Sequence, residues 1–328
     1  MAAVQPQLAQ PETSTQRAQA EASRKADVLV EALPYLQTFR DKTVVIKYGG
    51  SLMGDETVNQ GILRDIALMR TVGIRPIIVH GGGPAISRTL KSLGKEPQFL
   101  QGLRITDDET MAVAEMVLVG QTNKQIVSCL QQFGVQSVGL CGKDGLLLQA
   151  EKKYVDGLDL GWVGFVRQVN PKLLHLLLDS DMIPVIAPIG MDAQGHTYNI
   201  NADEVAVAVA QALAAEKLVY LTDVPGVLAD VSDPDSVISR LSVEQARQAI
   251  ADGQIRGGMI PKLQSAIQTI EQGVQSVHIL DGRIQHALLL EVFTRQGIGT
   301  MIQAAGTHNP VQEQTSFVHT VVNKGSII

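Results

Sequence analysis

Two glycine-rich turns each close a run of strand-forming residues. Lys47-Tyr48-Gly49-Gly50-Ser51 ends the first run and His80-Gly81-Gly82-Gly83-Pro84 ends the second. Glycines let a backbone pass close to a bound group, and the N–H groups that such turns expose can hold phosphate oxygens. A surface turn beside a solvated lysine is the other reading of the first, and a flexible connector that of the second. Three successive glycines lose more conformational entropy than an ordinary connector needs to lose. His80 stands at a strand end, as a base or as a hydrogen-bonded structural histidine.

Four further side chains carry charge or hydrogen-bonding capacity at suggestive positions. Arg104 shares a short turn with Gly102, where a guanidinium can grip a carboxylate through two parallel hydrogen bonds or enter a surface ion pair. Asn199 donates and accepts through its amide, toward a ligand or within an Asx turn. Asp203 begins an alanine-rich helix, which a carboxylate there caps by default. Lys262 follows Gly257-Gly258-Met259-Ile260-Pro261, an apolar lead-in that anchors its ammonium.

Several chemistries are disfavoured. Neither turn has the Gly-Lys-Ser/Thr ending of a Walker A loop or the Gly-x-Gly-x-x-Gly of dinucleotide folds, and Gly139-Leu140-Cys141-Gly142-Lys143-Asp144-Gly145 misses both. A net charge of -6, from 27 basic and 33 acidic residues, argues against a nucleic-acid surface. Two cysteines, Cys129 and Cys141, are too few for a disulfide framework or a four-ligand zinc site. With no secretory signal and no window near the roughly 18 apolar residues of a membrane span, the expectation is a soluble cytoplasmic protein.

The elements that must position these residues show in the periodicity. Continuous apolar runs at Thr43–Lys47, Arg75–His80, Ile183–Ala187 and Leu218–Leu221 predict strands buried on both faces. Between them Val58, Ile62, Ile66 and Met69, then Ile86, Leu90 and Leu93, then Val205, Val209 and Leu213 recur at helical spacing. The fold class expected is α/β, a three-layer αβα sandwich around a mostly parallel sheet. Residues 1–22, rich in Gln with Pro6 and Pro11, predict a flexible tail. Residues 23–41 predict a helix with Leu29, Leu33 and Leu36 on one face and a kink at Pro34. Two fused lobes follow, 42–190 and 191–303, and then a C-terminal tail over 304–328.

Together the two glycine turns resemble the amino acid kinase family. Five further blocks are Gly102-Leu103-Arg104-Ile105-Thr106, Gly120-Gln121-Thr122-Asn123-Lys124, Asn199-Ile200-Asn201-Ala202-Asp203, Leu221-Thr222-Asp223-Val224-Pro225-Gly226-Val227 and Gly257-Gly258-Met259-Ile260-Pro261-Lys262. In that order they resemble the acetylglutamate kinase branch over nearly all of residues 27–302. The resemblance implies transfer of a phosphoryl group from ATP, carried with Mg2+, to the side-chain carboxylate of N-acetyl-L-glutamate in L-arginine biosynthesis. It implies Lys47 and Lys262 as catalytic lysines with Asp203 between them, and Gly49 and Gly50 on the phosphates. It implies Gly82, Gly83, Arg104 and Asn199 on acetylglutamate, with Arg104 on the α-carboxylate and Asn199 suited to the acetamido group. ATP is expected around 221–227 and the stretch leading to Lys262, with no metal cage in the protein. The N-terminal helix, His278-Ile279-Leu280-Asp281-Gly282-Arg283, Glu291 and Gly297-Ile298-Gly299-Thr300-Met301 resemble the arginine-inhibited, homohexameric branch, a trimer of dimers. That implies arginine at His278 and Glu291, and a PII-type signal protein as a further partner. Carbamate kinase and a non-catalytic arginine sensor on the same fold are the alternatives.

Overall fold

The β-branched and aliphatic runs form strands because their side chains fill both faces of a covered sheet. Val44, Val45 and Ile46, and likewise Ile77, Ile78 and Val79, have no exposed surface. The computed structural model describes residues 14–306 apart from 256, 295 and 296.

In chain order, α1 (Ser14–Phe39) precedes β1 (Thr43–Tyr48), α2 (Glu56–Thr71), β2 (Arg75–His80) and α3 (Gly83–Ser92). The short strands β3 (Phe99–Leu100) and β4 (Leu103–Arg104) lead to α4 (Asp108–Glu115), a π-helical segment over Met116–Thr122, α5 (Asn123–Gln132) and β5 (Ser137–Cys141). Then come β6 (Leu148–Val155), β7 (Leu158–Val169), α6 (Lys172–Asp179), β8 (Ile183–Ala187), β9 (Ile189–Met191), β10 (Thr197–Ile200) and α7 (Ala202–Ala212). The chain continues through β11 (Lys217–Thr222), β12 (Arg240–Ser242), α8 (Val243–Ala251), α9 (Met259–Glu271), β13 (Ser276–Asp281), α10 (Ala287–Phe293) and β14 (Thr300–Gln303).

Eight strands make one sheet in the order β12-β14-β13-β11-β1-β2-β8-β5, with every neighbouring pair parallel except β13 with β14. Helices flank it, as expected for α/β. Val44 to Tyr48 of β1 pair in register with Lys217 to Leu221 of β11 on one side, and Thr43 to Tyr48 pair with Arg75 to His80 of β2 on the other. The sheet therefore runs unbroken through both stretches of chain read as lobes. The helix faces are those the spacing predicts: α2 buries Ile62, Ile66 and Met69, α3 buries Ile86 and Leu90, and α7 buries Val205 and Val209. Val58 and Leu213 are half-buried, and Leu93 is exposed because α3 ends at Ser92.

A second, smaller sheet was not legible from periodicity: β10, β7, β6 and β9 close on themselves beside the main sheet. The N-terminal boundary also needs correction. Helix α1 begins at Ser14, inside the stretch read as a tail, because Ala, Gln, Arg and Glu between Ser14 and Glu21 are good helix formers once the prolines are passed. The rest of that tail, residues 1–13, and most of the C-terminal tail, residues 307–328, lie outside the described residues. The part of α1 up to Thr38 belongs to a compact unit separate from the one that starts at Phe39. Among the described residues no helix is long and apolar enough to cross a membrane.

Candidate active site

Parallel strands bring their carboxyl ends to one edge, and ligands of open α/β sheets bind outside that edge, where neighbouring strands lead their chains in opposite directions. Strand β1 sits at such a point, with β2 on one side and β11 on the other. The turns after these strands interlock. Gly81 N–H donates to Tyr48 O at 2.8 Å and Gly49 N–H donates to Leu221 O at 3.2 Å. Side chains would not fit: a Cβ on Gly49 would lie 2.9 Å from Leu221 O, one on Gly50 2.9 Å from Gly82 N, and one on Gly82 2.4 Å from Leu118 Cδ2. The glycines read as phosphate-binding are thus required by close backbone approach alone.

Charge collects directly above these turns. Lys47 Nζ stands 2.9 Å from Asp203 Oδ1, close enough to pair although without hydrogen-bond alignment. Asp203 reaches this position from the first turn of α7, whose entry Asn201 caps by accepting Asp203 N–H at 2.8 Å. The default cap is therefore Asn201, which frees the Asp203 carboxylate to face the lysine. Lys262 projects from the first turns of α9 and donates to Thr222 Oγ1 at 3.1 Å. Burial pulls the Lys262 pKa down, Asp203 and Asp223 pull it up, and Lys47 pushes it down again. Asp203 thus touches Lys47 and acts on Lys262 only through space.

The residues read as substrate-binding line one hollow of about 200 Å3. Gly82, Gly83, Arg104 and Asn199 all face it, roofed by Phe99, Gly102 and Leu103 of the β3–β4 hairpin. Arg104 is buried; its Nη2 donates to Gly83 O at 2.9 Å and to Ser87 Oγ at 2.8 Å, and its guanidinium lies 4.6 Å from the centre of the Phe99 ring. Its Nη1 is buried without a hydrogen-bond partner among the described residues. A buried guanidinium nitrogen of a residue that lines the hollow is suited to an anionic oxygen, since leaving it unpaired is costly. Asn199 is held loosely, donating to Thr106 Oγ1 at 3.4 Å. A wider hollow of about 690 Å3 adjoins the first, shares Gly102, Leu103 and Asn201 with it, and carries Asp203 and Lys262 on its wall.

His278 and Glu291 meet elsewhere, in a buried polar cluster. His278 Nδ1 donates to Glu291 Oε1 at 2.7 Å, and Ile298 N–H and Gly299 N–H add bonds to Glu291 Oε2 at 2.8 and 3.2 Å. Burial alone would raise the Glu291 pKa, but His278 and the two backbone N–H groups outweigh it and hold it at about 2. Lys217 lies 3.2 Å from His278 Nε2 and 4.7 Å from the centre of the Phe39 ring, and its burial brings its pKa down to about 8. Sequence reasoning missed Lys217, whose only signal is a lysine opening an otherwise apolar strand. His80, by contrast, is buried and bonded as a structural histidine.

A profile of the Amino acid kinase family matches residues 42–281. An acetylglutamate kinase from Acaryochloris marina is 53% identical over 283 residues, covering 86% of this chain and 99% of its own. An N-acetylglutamate synthase from Neisseria gonorrhoeae, solved with coenzyme A and N-acetyl-glutamate, superposes with a TM-score of 0.76 at 28% identity, over 92% of this chain and 70% of its own. The same enzyme solved with coenzyme A and L-arginine gives 0.72 at 30% identity, over 85% and 65%.

Proposed function

Because the chain belongs to the amino acid kinase family and is similar to acetylglutamate kinases over nearly their whole length, we propose that it phosphorylates the side-chain carboxylate of N-acetyl-L-glutamate with ATP, an acylphosphate-forming step of arginine biosynthesis. The observation that carries the assignment of residues is the 200 Å3 hollow, which gathers a buried, half-satisfied arginine, an amide and a glycine turn next to paired lysine and aspartate.

Both reactants are anionic, so catalysis must offset repulsion and hold the two in line. Arg104 Nη1 takes the α-carboxylate and Asn199 the acetamido group, which aims the side-chain carboxylate at the glycine turns. That carboxylate is already ionised at neutral pH and attacks without a general base. Lys47 and Lys262 stabilise the phosphoryl group in flight from opposite sides, and Asp203 keeps Lys47 aimed. Backbone N–H groups of Gly49, Gly50, Gly82 and Gly83 line the path. ATP lies around 221–227 and the approach to Lys262, and Mg2+ enters on its phosphates, neutralising part of their charge.

ADP release from Mg-ATP, followed by a coupled assay, tests the reading with N-acetyl-L-glutamate, glutamate, aspartate, carbamate and UMP as acceptors. Turnover with acetylglutamate alone is expected. Turnover with carbamate instead would keep the fold and overturn the roles of Arg104 and Asn199.

Arginine acts as inhibitor at His278 and Glu291, its guanidinium pairing with the Glu291 carboxylate. The charge stored in that cluster supports this, as does the arginine-bound relative. Glu291→Gln should abolish inhibition across an arginine titration while leaving uninhibited turnover in place. Inhibition of the wild type that survives in the variant would sink the assignment.

A further inference from the structure

Asn123 has no assigned role, yet its amide is fully buried at the point where the π-helical segment gives way to α5. Asn123 Nδ2 donates to Val185 O at 2.8 Å, a bond that only the nitrogen end of the amide can make to a carbonyl. The second hydrogen of the same nitrogen has His80 Nε2 at 3.2 Å as its nearer partner and Leu140 O at 3.5 Å as its farther one, and an amide nitrogen that donates to the ring requires Nε2 to accept. The proton of a neutral ring then sits on Nδ1 and is donated to Gly81 O at 2.8 Å. Burial lowers the His80 pKa to about 4, which keeps the ring neutral in the working range.

The consequence falls on the catalytic turn. In a planar trans peptide the C=O of Gly81 and the N–H of Gly82 point in opposite directions. Holding Gly81 O against His80 therefore turns Gly82 N–H away from the histidine, and Gly82 N is the atom against which Gly50 packs. Space for the amide is built in, since a Cβ on Gly139 of β5 would sit on Asn123 Oδ1. The π-helical segment, whose wider turn resets the side-chain register, places Leu118 against Gly82 from the same stretch.

We propose that Asn123 is a positioning residue that acts through His80 to fix the Gly81–Gly82 peptide, and so aims the Gly82 N–H at the phosphoryl path. The proposal rests on the acetylglutamate kinase reading for the reaction it serves. The lock itself can be tested without that reading. In 15N-labelled wild-type protein, the histidine signal that disappears in His80→Gln should show the Nδ1–H tautomer. An Nε2–H tautomer would overturn the proposal outright. In Asn123→Leu, which keeps the volume and removes the donor, the His80 signal should shift toward a tautomer mixture. The kcat of the folded variant should fall by about tenfold or more, toward the loss seen when a preorganised donor is removed, with KM for ATP within about twofold. A lower Tm with unchanged kcat would mean that Asn123 serves the fold alone, and the proposal would fail. Absence of wild-type turnover with acetylglutamate overturns only the functional reading, because the tautomer still decides the lock.

Discussion

At the scale of single residues, the strongest contrast is between Lys47, which has a carboxylate in contact, and Lys262, which has only a hydroxyl. A half-buried ammonium with no contacting counter-ion among the described residues is poised for incoming negative charge, and removing such a donor costs about 10²–10³ in rate. Lys262→Ala should therefore lose that factor in kcat while KM for acetylglutamate changes little; steady-state kinetics with a KM effect alone would move Lys262 out of the reaction centre. Glu291 gives a pH prediction. Its pKa in the folded chain is about 2 against an ordinary 4.5, so the stability it contributes is complete above pH 4.5 and drains away as pH falls toward 2. The urea midpoint of the wild type should drop between about pH 5 and about pH 3, and that of Glu291→Gln should drop less. Equal drops would show that the hydrogen-bonded Glu291 carboxylate is not the source. The types of Lys47, Arg104 and Asp203 were legible in the sequence; that Asp203 lies beside Lys47 came only through the family resemblance, because contacts between distant residues carry no local signal. Asn201, not Asp203, proved to cap α7, a distinction that depends on one rotamer and no pattern reveals.

At the scale of elements, the β3–β4 hairpin roofs the 200 Å3 hollow and also borders the larger one. Its two turn residues, Gln101 and Gly102, have φ of 48° and 80°, the positive pair that a type I′ turn demands. Gly102→Ala forces a Cβ into the left-handed region at a cost of about 1 kcal/mol, concentrated in a two-residue turn with little else to hold it. KM for acetylglutamate should rise several-fold while KM for ATP holds; a variant with both constants unchanged would show that the roof does not bear on binding. The long buried strands and their helices were readable because each keeps one period. Strands β6 and β7 were not, since their pairing slips between Gln149 and Ala150 and again between Lys152 and Tyr154. β6 keeps its alternation across the first slip, where the extra residue lies on β7, and β7 loses the two-residue period by which a strand is recognised, burying Leu160, Val163 and Gly164.

At the scale of the whole molecule, a single sheet carries both the turns proposed to bind phosphate and, on β13, the histidine of the polar cluster, so both sets of residues share one frame. Helix α1 is different: Val28, Leu29, Val30 and Leu33 stand 64%, 72%, 69% and 49% exposed on it. Four large apolar side chains along one exposed helix form a patch of the kind that proteins normally cover, and the expected cover is a second copy of the same helix, which would bring a matching surface. We expect light scattering to give the mass of a homohexamer of 35.2 kDa chains. In the double variant Leu29→Glu, Leu33→Glu, each copy would bring two charges into that contact, where burial without partners is costly, so the mass should fall to that of a dimer. Circular dichroism and turnover without arginine should stay near wild type, since the residues proposed as catalytic all lie in the unit that starts at Phe39. A hexamer that persists in the double variant would exclude α1 as the contact, and a wild type that is already dimeric would exclude the hexamer itself.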